Sequence, residues 1–264
     1  MASLSFMSQP YYPWLGPTEG GASLHKRISP PEGFVRKGLD SLSFAFWLRH
    51  FPLKEEGSEV FLFDGRRKIR QNLHQAVMDI DIGNRDLQQC ADAVMRLYGE
   101  YLYSIKAYED IHFNYTSGDR IDFVKWASGQ RPQVRGNRVY WGSSGSRGYS
   151  YPNFREYLTN IFTYAGTHSL EKELKPISIM EIRPGDVFIQ GGFPGHAVIV
   201  MDVAIYPATG EKAFLLAQSY MPAQSIHILK NPTDKGISPW YLAKEGPLNT
   251  PEWRFPANCL KRFP

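Results

Sequence analysis

The chain has 264 residues, of which 42% are hydrophobic and 21% charged, enough for one large domain or two small ones. Its 16 Phe, 15 Tyr and 6 Trp exclude a disordered polypeptide, and two cysteines exclude a disulfide scaffold. No apolar run approaches the roughly 20 residues needed to span a bilayer, and a net charge of +4 is too small and scattered to argue for nucleic acid.

The segment 1–15 lacks the basic start and continuous apolar stretch of a secretory leader. Residues 10–33 are rich in Pro and Gly and predict an irregular path over the surface. The chain is therefore read as an extended arm over 1–33 and a single domain over 34–264.

Ser43 is a suitable N-cap for a helix to residue 50, with Phe44, Trp47, Leu48 and Phe51 on one face and Pro52 ending it. Residues 60–63 read as a strand, followed by an Asp64-Gly65 turn. A clear strand is expected over 76–82. Met78, Ile80 and Ile82 face one way there, and Val77, Asp79 and Asp81 the other. Asp86 then caps a helix over 87–106, whose apolar stripe includes Cys90, Ala91, Val94 and Leu97. Cys90 falls in the first turn or just beyond it. Helices over 120–128 and 153–164 follow. Between them, residues 142–148 (GSSGSRG) predict a mobile loop without the Lys-Ser/Thr ending of a phosphate-binding loop.

The period changes from 3.6 to 2 near Pro184. Strands are expected over 187–190, 196–205, 213–220 and 226–229, with Pro184-Gly185-Asp186 and 191–195 as turns. An antiparallel meander following helices makes the chain α+β.

A cysteine near a helix N-terminus has its thiolate favoured by unpaired N–H groups and the macrodipole. A general base must then come from elsewhere, and His is the usual choice near neutral pH. His196 starts a strand directly after a Gly-rich turn, an edge position expected to face open space. A third group orients the imidazole. Asp202 lies six residues along the same strand, about 20 Å away. Centring the hairpin loop near Ala208 places Tyr220 opposite His196 and makes Gln218 its diagonal neighbour on the same face. For an oxyanion, the candidates are the Cys90 N–H and the side chain of Gln88 or Gln89. Asp79 and Asp81 could share a cation, but no third ligand is placed beside them. No HExxH, CxxC, HxH, GxSxG, Walker A or GxGxxG pattern occurs, and no metal or cofactor is expected.

Pro184-Gly185-Asp186-Val187-Phe188-Ile189 followed by Gly195-His196-Ala197-Val198-Ile199-Val200, downstream of a helix-borne Cys90, resembles the papain-like NlpC and CHAP peptidases and amidases. The usual D-C-S-G or N-C-x-x-F-V context is replaced by Gln89-Cys90-Ala91, and 105 residues separate Cys90 from His196, which implies an insertion around 105–180. More broadly, the run from Asp86 to Val94 and the run from Leu215 to Gln224 resemble an uncharacterised bacterial family, mostly of Bacteroidetes, known as a domain of unknown function. The first resemblance implies a papain-like fold in which a Cys-bearing helix packs on the C-terminal sheet. It also implies a thiol hydrolase acting on a peptide or peptidoglycan-derived amide. Cys90 would be the nucleophile, His196 the base and Gln218 the orienting group. The second implies export to the periplasm or envelope, with the leader outside this sequence; a cytoplasmic location is the alternative. The rival reading is a non-catalytic envelope binding protein on the same fold, with Tyr11, Tyr12, Trp14, Trp126, Tyr140, Trp141, Tyr149 and Tyr151 available for stacking.

Overall fold

From Val187 onward the apolar residues are so dense that the strands are buried on both faces. The computed structural model, which describes residues 9–15 and 22–264, gathers them into one eight-stranded antiparallel sheet. The order across it is His74–Val77, His227–Leu229, Lys212–Gln218, His196–Ile205, Val187–Gln190, Leu260–Arg262 and Lys175–Pro176. Tyr241–Leu242 also pairs with Lys212–Gln218. The protein is thus α+β, with its longest strand, His196–Ile205, at the middle. Among the described residues, no helix is long and apolar enough to cross a membrane.

Side chains alternate between two cores. Val187, Ile189, Ala197, Ile199, Leu215 and Ala217 share one with Ala91, Val94, Leu97 and Phe51. Phe188, Val198, Val200, Phe214 and Leu216 share the other with Tyr241, Phe255 and Leu260. The central hairpin pairs Ile199 with Ala217 and Val200 with Leu216, then slips by one residue so that Asp202 faces Leu215. Asp202 is fully buried at that irregularity and held by Arg36 Nε at 2.5 Å and Arg49 Nε at 2.7 Å.

The Cys90–Ser104 helix touches the His196–Ile205 strand. It starts later than its sequence suggests because Asp86 caps something else. The Asp86 Oδ1 accepts the Ala223 N–H at 2.7 Å and the Gln89 Nε2–H at 3.0 Å. Gln89 becomes the N-cap, and its N–H donates to Asp92 Oδ2 at 3.1 Å. Cys90 is consequently the first helical residue.

Other elements differ from expectation for local reasons. The strand over 76–82 shrinks to His74–Val77. Beyond it, the Met78 N–H goes to Ile226 O and the Asp79 N–H to Pro52 O, so Met78 and Ile80 stay buried without a continued ladder. Residues 60–63 make only isolated bridges, Phe61 with Arg67 and Leu62 with Gln224. The helix over 120–128 divides into a strand, Arg120–Asp122, paired with His112–Asn114, and a short helix, Phe123–Ala127. Ser150 moves the next helix start forward to Tyr151, its hydroxyl accepting the Asn153 N–H.

The Gly-rich loop is partly ordered. Gly142 and Ser143 end the hairpin strand Arg138–Ser143, and the Gly145 and Gly148 N–H groups donate to Gly129 O and Ala127 O. Of the expected arm, 1–8 and 16–21 lie outside the described residues. The remainder does not simply lie over the surface. Tyr12 and Trp14 pack on Trp47 and Phe51, and Leu24, in the turn of helix Leu24–Arg27, is fully buried.

Candidate functional site

Cys90 owes its position to the late helix start. As the first helical residue it stands at the N-terminus of a helix that packs on the strand carrying His196 and Ala197. Burial pushes the thiol up to about 11 and the charge of Asp92 adds to the rise, while backbone N–H groups of Ala197, Ala91 and Cys90 itself pull the other way.

His196 enters its strand through a turn that only glycine allows. A Cβ on Gly195 would lie 2.6 Å from Gly192 O and 2.8 Å from Gln190 O. The imidazole is 2% exposed and packs among Tyr220, Trp253 and Phe255, with ring centroids 4.8, 5.3 and 5.7 Å away. Burial pushes it down to about 4; the Gln218 hydrogen bond and the Glu252 charge oppose this, and Lys68 adds to it. Its Nε2 meets Gln218 Oε1 at 2.8 Å.

That hydrogen bond is the inner link of a longer chain. Gln218 Nε2 donates to Glu252 Oε2 at 2.8 Å, and Lys68 Nζ donates to the same oxygen at 2.6 Å. Lys68 and Glu252 are both largely buried, and the ammonium also lies 5.7 Å from the Tyr220 ring centroid. Tyr220, whose ring lies 4.8 Å from that of His196, is raised by burial, then by the charges of Glu252 and Cys90. The Cys90 helix thus packs on the strand that His196 opens, with the Tyr220 ring beside the imidazole.

The two glutamines considered for an oxyanion each hold a polar partner. Gln88 is buried; its Oε1 accepts from Arg96 Nη1 at 2.8 Å and its Nε2 donates to Asp81 O at 3.2 Å. Gln89 spends its amide on Asp86. Each amide nitrogen has a second N–H beyond these bonds. Asp81 is an ion-pair partner, with Arg96 Nη2 at 3.0 Å and Arg155 Nη2 at 2.9 Å, and it does not form a cation pair with Asp79. Among the described residues, no group of three or more His, Cys, Asp and Glu could hold a metal ion.

Two polar groups that sequence reasoning missed are Lys68 and Glu252. Glu252 sits in the irregular stretch Thr250-Pro251-Glu252-Trp253, 34 residues from Gln218, and no periodicity or motif points from one to the other. His227 is a third. It lies directly across from Gln218 on the next strand and is pushed down to about 3, chiefly by burial. Its Nδ1 is 2.8 Å from Ser225 O, while its Nε2 is buried without a partner.

Residues 24–262 match a family model described as "Domain of unknown function (4846)". No curated protein matches the chain, and no solved structure does.

Proposed function

The chain belongs to this family of unknown function, and we propose that it is a thiol-dependent amide hydrolase of papain-like character. The observation that carries the reading is the sequence of contacts around His196. A helix-first cysteine lies in a helix packed on the strand that His196 opens, and Gln218 occupies Nε2 of that imidazole, leaving Nδ1 as its basic nitrogen.

Burial disfavours both thiolate and imidazolium, so the pair rests uncharged and the proton moves at the moment of attack. Cys90 Sγ attacks the amide carbonyl carbon while His196 Nδ1 takes the thiol proton. Collapse of the tetrahedral adduct breaks the C–N bond, and His196 returns the proton to the leaving amine. Water, deprotonated by the same nitrogen, then cleaves the thioester and frees the carboxylic acid. The Cys90 N–H, at a helix N-terminus, is the donor that serves the oxyanion. A cell-wall peptide is the substrate class that the papain-like resemblance supplies.

The test is incubation of the reduced protein with a panel of muropeptides and simple peptide amides, read by mass spectrometry. Cleavage by wild type and none by Cys90→Ser supports the reading. The near-complete burial of His196 favours a second reading, a binding module on this frame. It gains if wild type cleaves nothing.

A further inference from the structure

We propose that Lys68 and Glu252 form a positioning relay that fixes the tautomer of His196 through Gln218. The inference rests on the reading of His196 as the base and adds the device that makes its Nδ1 available.

Gln218 alone does not choose a tautomer. Its amide presents an acceptor at one end and two donors at the other, and a rotation of 180° about its last bond exchanges them. With Oε1 toward the imidazole, His196 carries its proton on Nε2 and leaves Nδ1 as a base. With Nε2–H toward the imidazole, His196 must accept there, the proton moves to Nδ1, and the base is lost.

Glu252 removes the ambiguity. An ionised carboxylate only accepts, so the Gln218 end that meets Glu252 at 2.8 Å has to be the NH2 end. Lys68, at 2.6 Å from the same oxygen and itself largely buried, is the ion-pair partner of this carboxylate. Three links, Lys68 to Glu252, Glu252 to Gln218 and Gln218 to His196, thus transmit one polarity across the second face of the sheet. The rings of Tyr220 and Trp253 beside His196 shield the inner end of the relay from competing water.

None of the outer residues touches a reacting atom, so the test needs a readout apart from rate. In protein labelled with 15N-histidine, the two ring-nitrogen shifts of His196 distinguish the protonated nitrogen from the bare one. Wild type at pH 7 should carry the proton on Nε2. The double variant Lys68→Met, Glu252→Met removes the acceptor without leaving an orphaned charge, and keeps the volume filled. It should give a mixed or Nδ1–H signature. Glu252→Gln retains a carbonyl that can accept from Gln218, and should hold the Nε2–H form.

A wild-type ring protonated on Nδ1, or a double variant whose shifts equal those of wild type, overturns the relay. Should the double variant not fold, Glu252→Ala with Lys68 intact gives the same comparison. Its tautomer shifting supports the relay and its tautomer unchanged overturns it. If the proposed hydrolysis is measured, kcat should fall about 10–100-fold in the double variant with KM little changed, the loss usual when the outer partner of an imidazole is removed. The two readings fail separately. A tautomer shift without hydrolysis leaves the relay standing and sinks the enzyme. Hydrolysis with an unmoved tautomer does the reverse.

Discussion

Gln218 Oε1 lies 2.8 Å from Nε2 of His196, so the one side-chain amide on the neighbouring strand within reach of the imidazole takes up a single ring nitrogen and leaves the other. An orienting group of this kind is partly replaceable. Gln218→Leu is expected to lower kcat for amide hydrolysis by two to three decades, about 3–4 kcal/mol, and to leave some activity where Cys90→Ala leaves none. Steady-state kinetics on the best substrate of the panel checks this. Wild-type rates in Gln218→Leu would remove Gln218 from the site.

The contact was legible in the sequence because a hairpin is a ruler. Placing the loop centre at Ala208 pairs Ile199 with Ala217, as observed, and makes His196 and Gln218 diagonal neighbours. The same ruler misplaces the half of the hairpin nearer the loop. It puts Asp202 against Phe214, whereas the slip after Val200 puts it against Leu215. That irregularity accompanies the pull of Arg36 and Arg49 on Asp202, and both arginines lie more than 150 residues away in the chain. Long-range polar contacts leave no periodic trace. For the same reason the Cys90 helix begins later than expected, since Asp86 is drawn to the Ala223 N–H, and Glu252 was invisible from sequence.

The buried histidine makes a statement about pH. His196 titrates at about 4 in the folded protein, and an unperturbed His near 6.5. Between those values the unfolded chain binds a proton that the folded chain refuses. Its contribution is therefore fully present above about pH 6.5 and is lost as pH falls toward 4, up to about 3 kcal/mol for this one ring. His227, also pushed down by burial, acts in the same direction. Urea midpoints should fall between pH 7 and 4.5, and the His196 ring resonances should not move until the lower end of that range. A ring midpoint near 6.5 contradicts the burial described here.

Cys90 makes a complementary statement. With its thiol pushed up to about 11, alkylation by iodoacetamide should accelerate about tenfold per pH unit from 7 to 10, because only the thiolate reacts. The Cys90 peptide is separated from the Cys259 peptide by mass spectrometry. A rate already level from pH 5 to 8 would mean a standing thiolate–imidazolium pair, in place of the uncharged resting pair.

Stability should depend sharply on one charged side chain of the Cys90 helix. Arg96 is fully buried. It donates through Nε to Glu100 Oε1 at 2.6 Å, through Nη1 to Gln88 and through Nη2 to Asp81, while Tyr151 also donates to Glu100 at 2.8 Å. Arg96→Met strands Glu100 as an uncompensated buried charge and should cost about 3–5 kcal/mol in urea unfolding. Glu100→Gln added to it should recover much of that loss, since the neutral amide no longer needs the guanidinium. Additive losses would mean that the two side chains do not act as a pair. Gln88 carries the Ser219 hydroxyl on its backbone carbonyl, at 3.0 Å, so loosening this cluster also loosens the link between the Cys90 helix and the strand that bears Gln218.

The sharpest division between enzyme and binding module is whether Cys90 and His196 act as a unit. In a hydrolase each of Cys90→Ala and His196→Ala removes the same step, so the losses do not add and the double variant is no slower than either single one. Cys90→Ser keeps the size and exchanges a thiol for a much weaker nucleophile; it should be inactive with an unchanged melting temperature. In a binding module the same residues matter only through packing. The thiol fills space where the Cys90 helix meets the sheet, and the imidazole fills the gap between Tyr220, Trp253 and Phe255. His196→Ala would then lower the melting temperature, Cys90→Ala would lower it by a separate and additive amount, and no substrate in the panel would be cleaved. Measuring melting temperature and amide hydrolysis on the same four proteins places each loss on chemistry or on packing. Additive destabilisation without turnover in wild type removes the hydrolase reading.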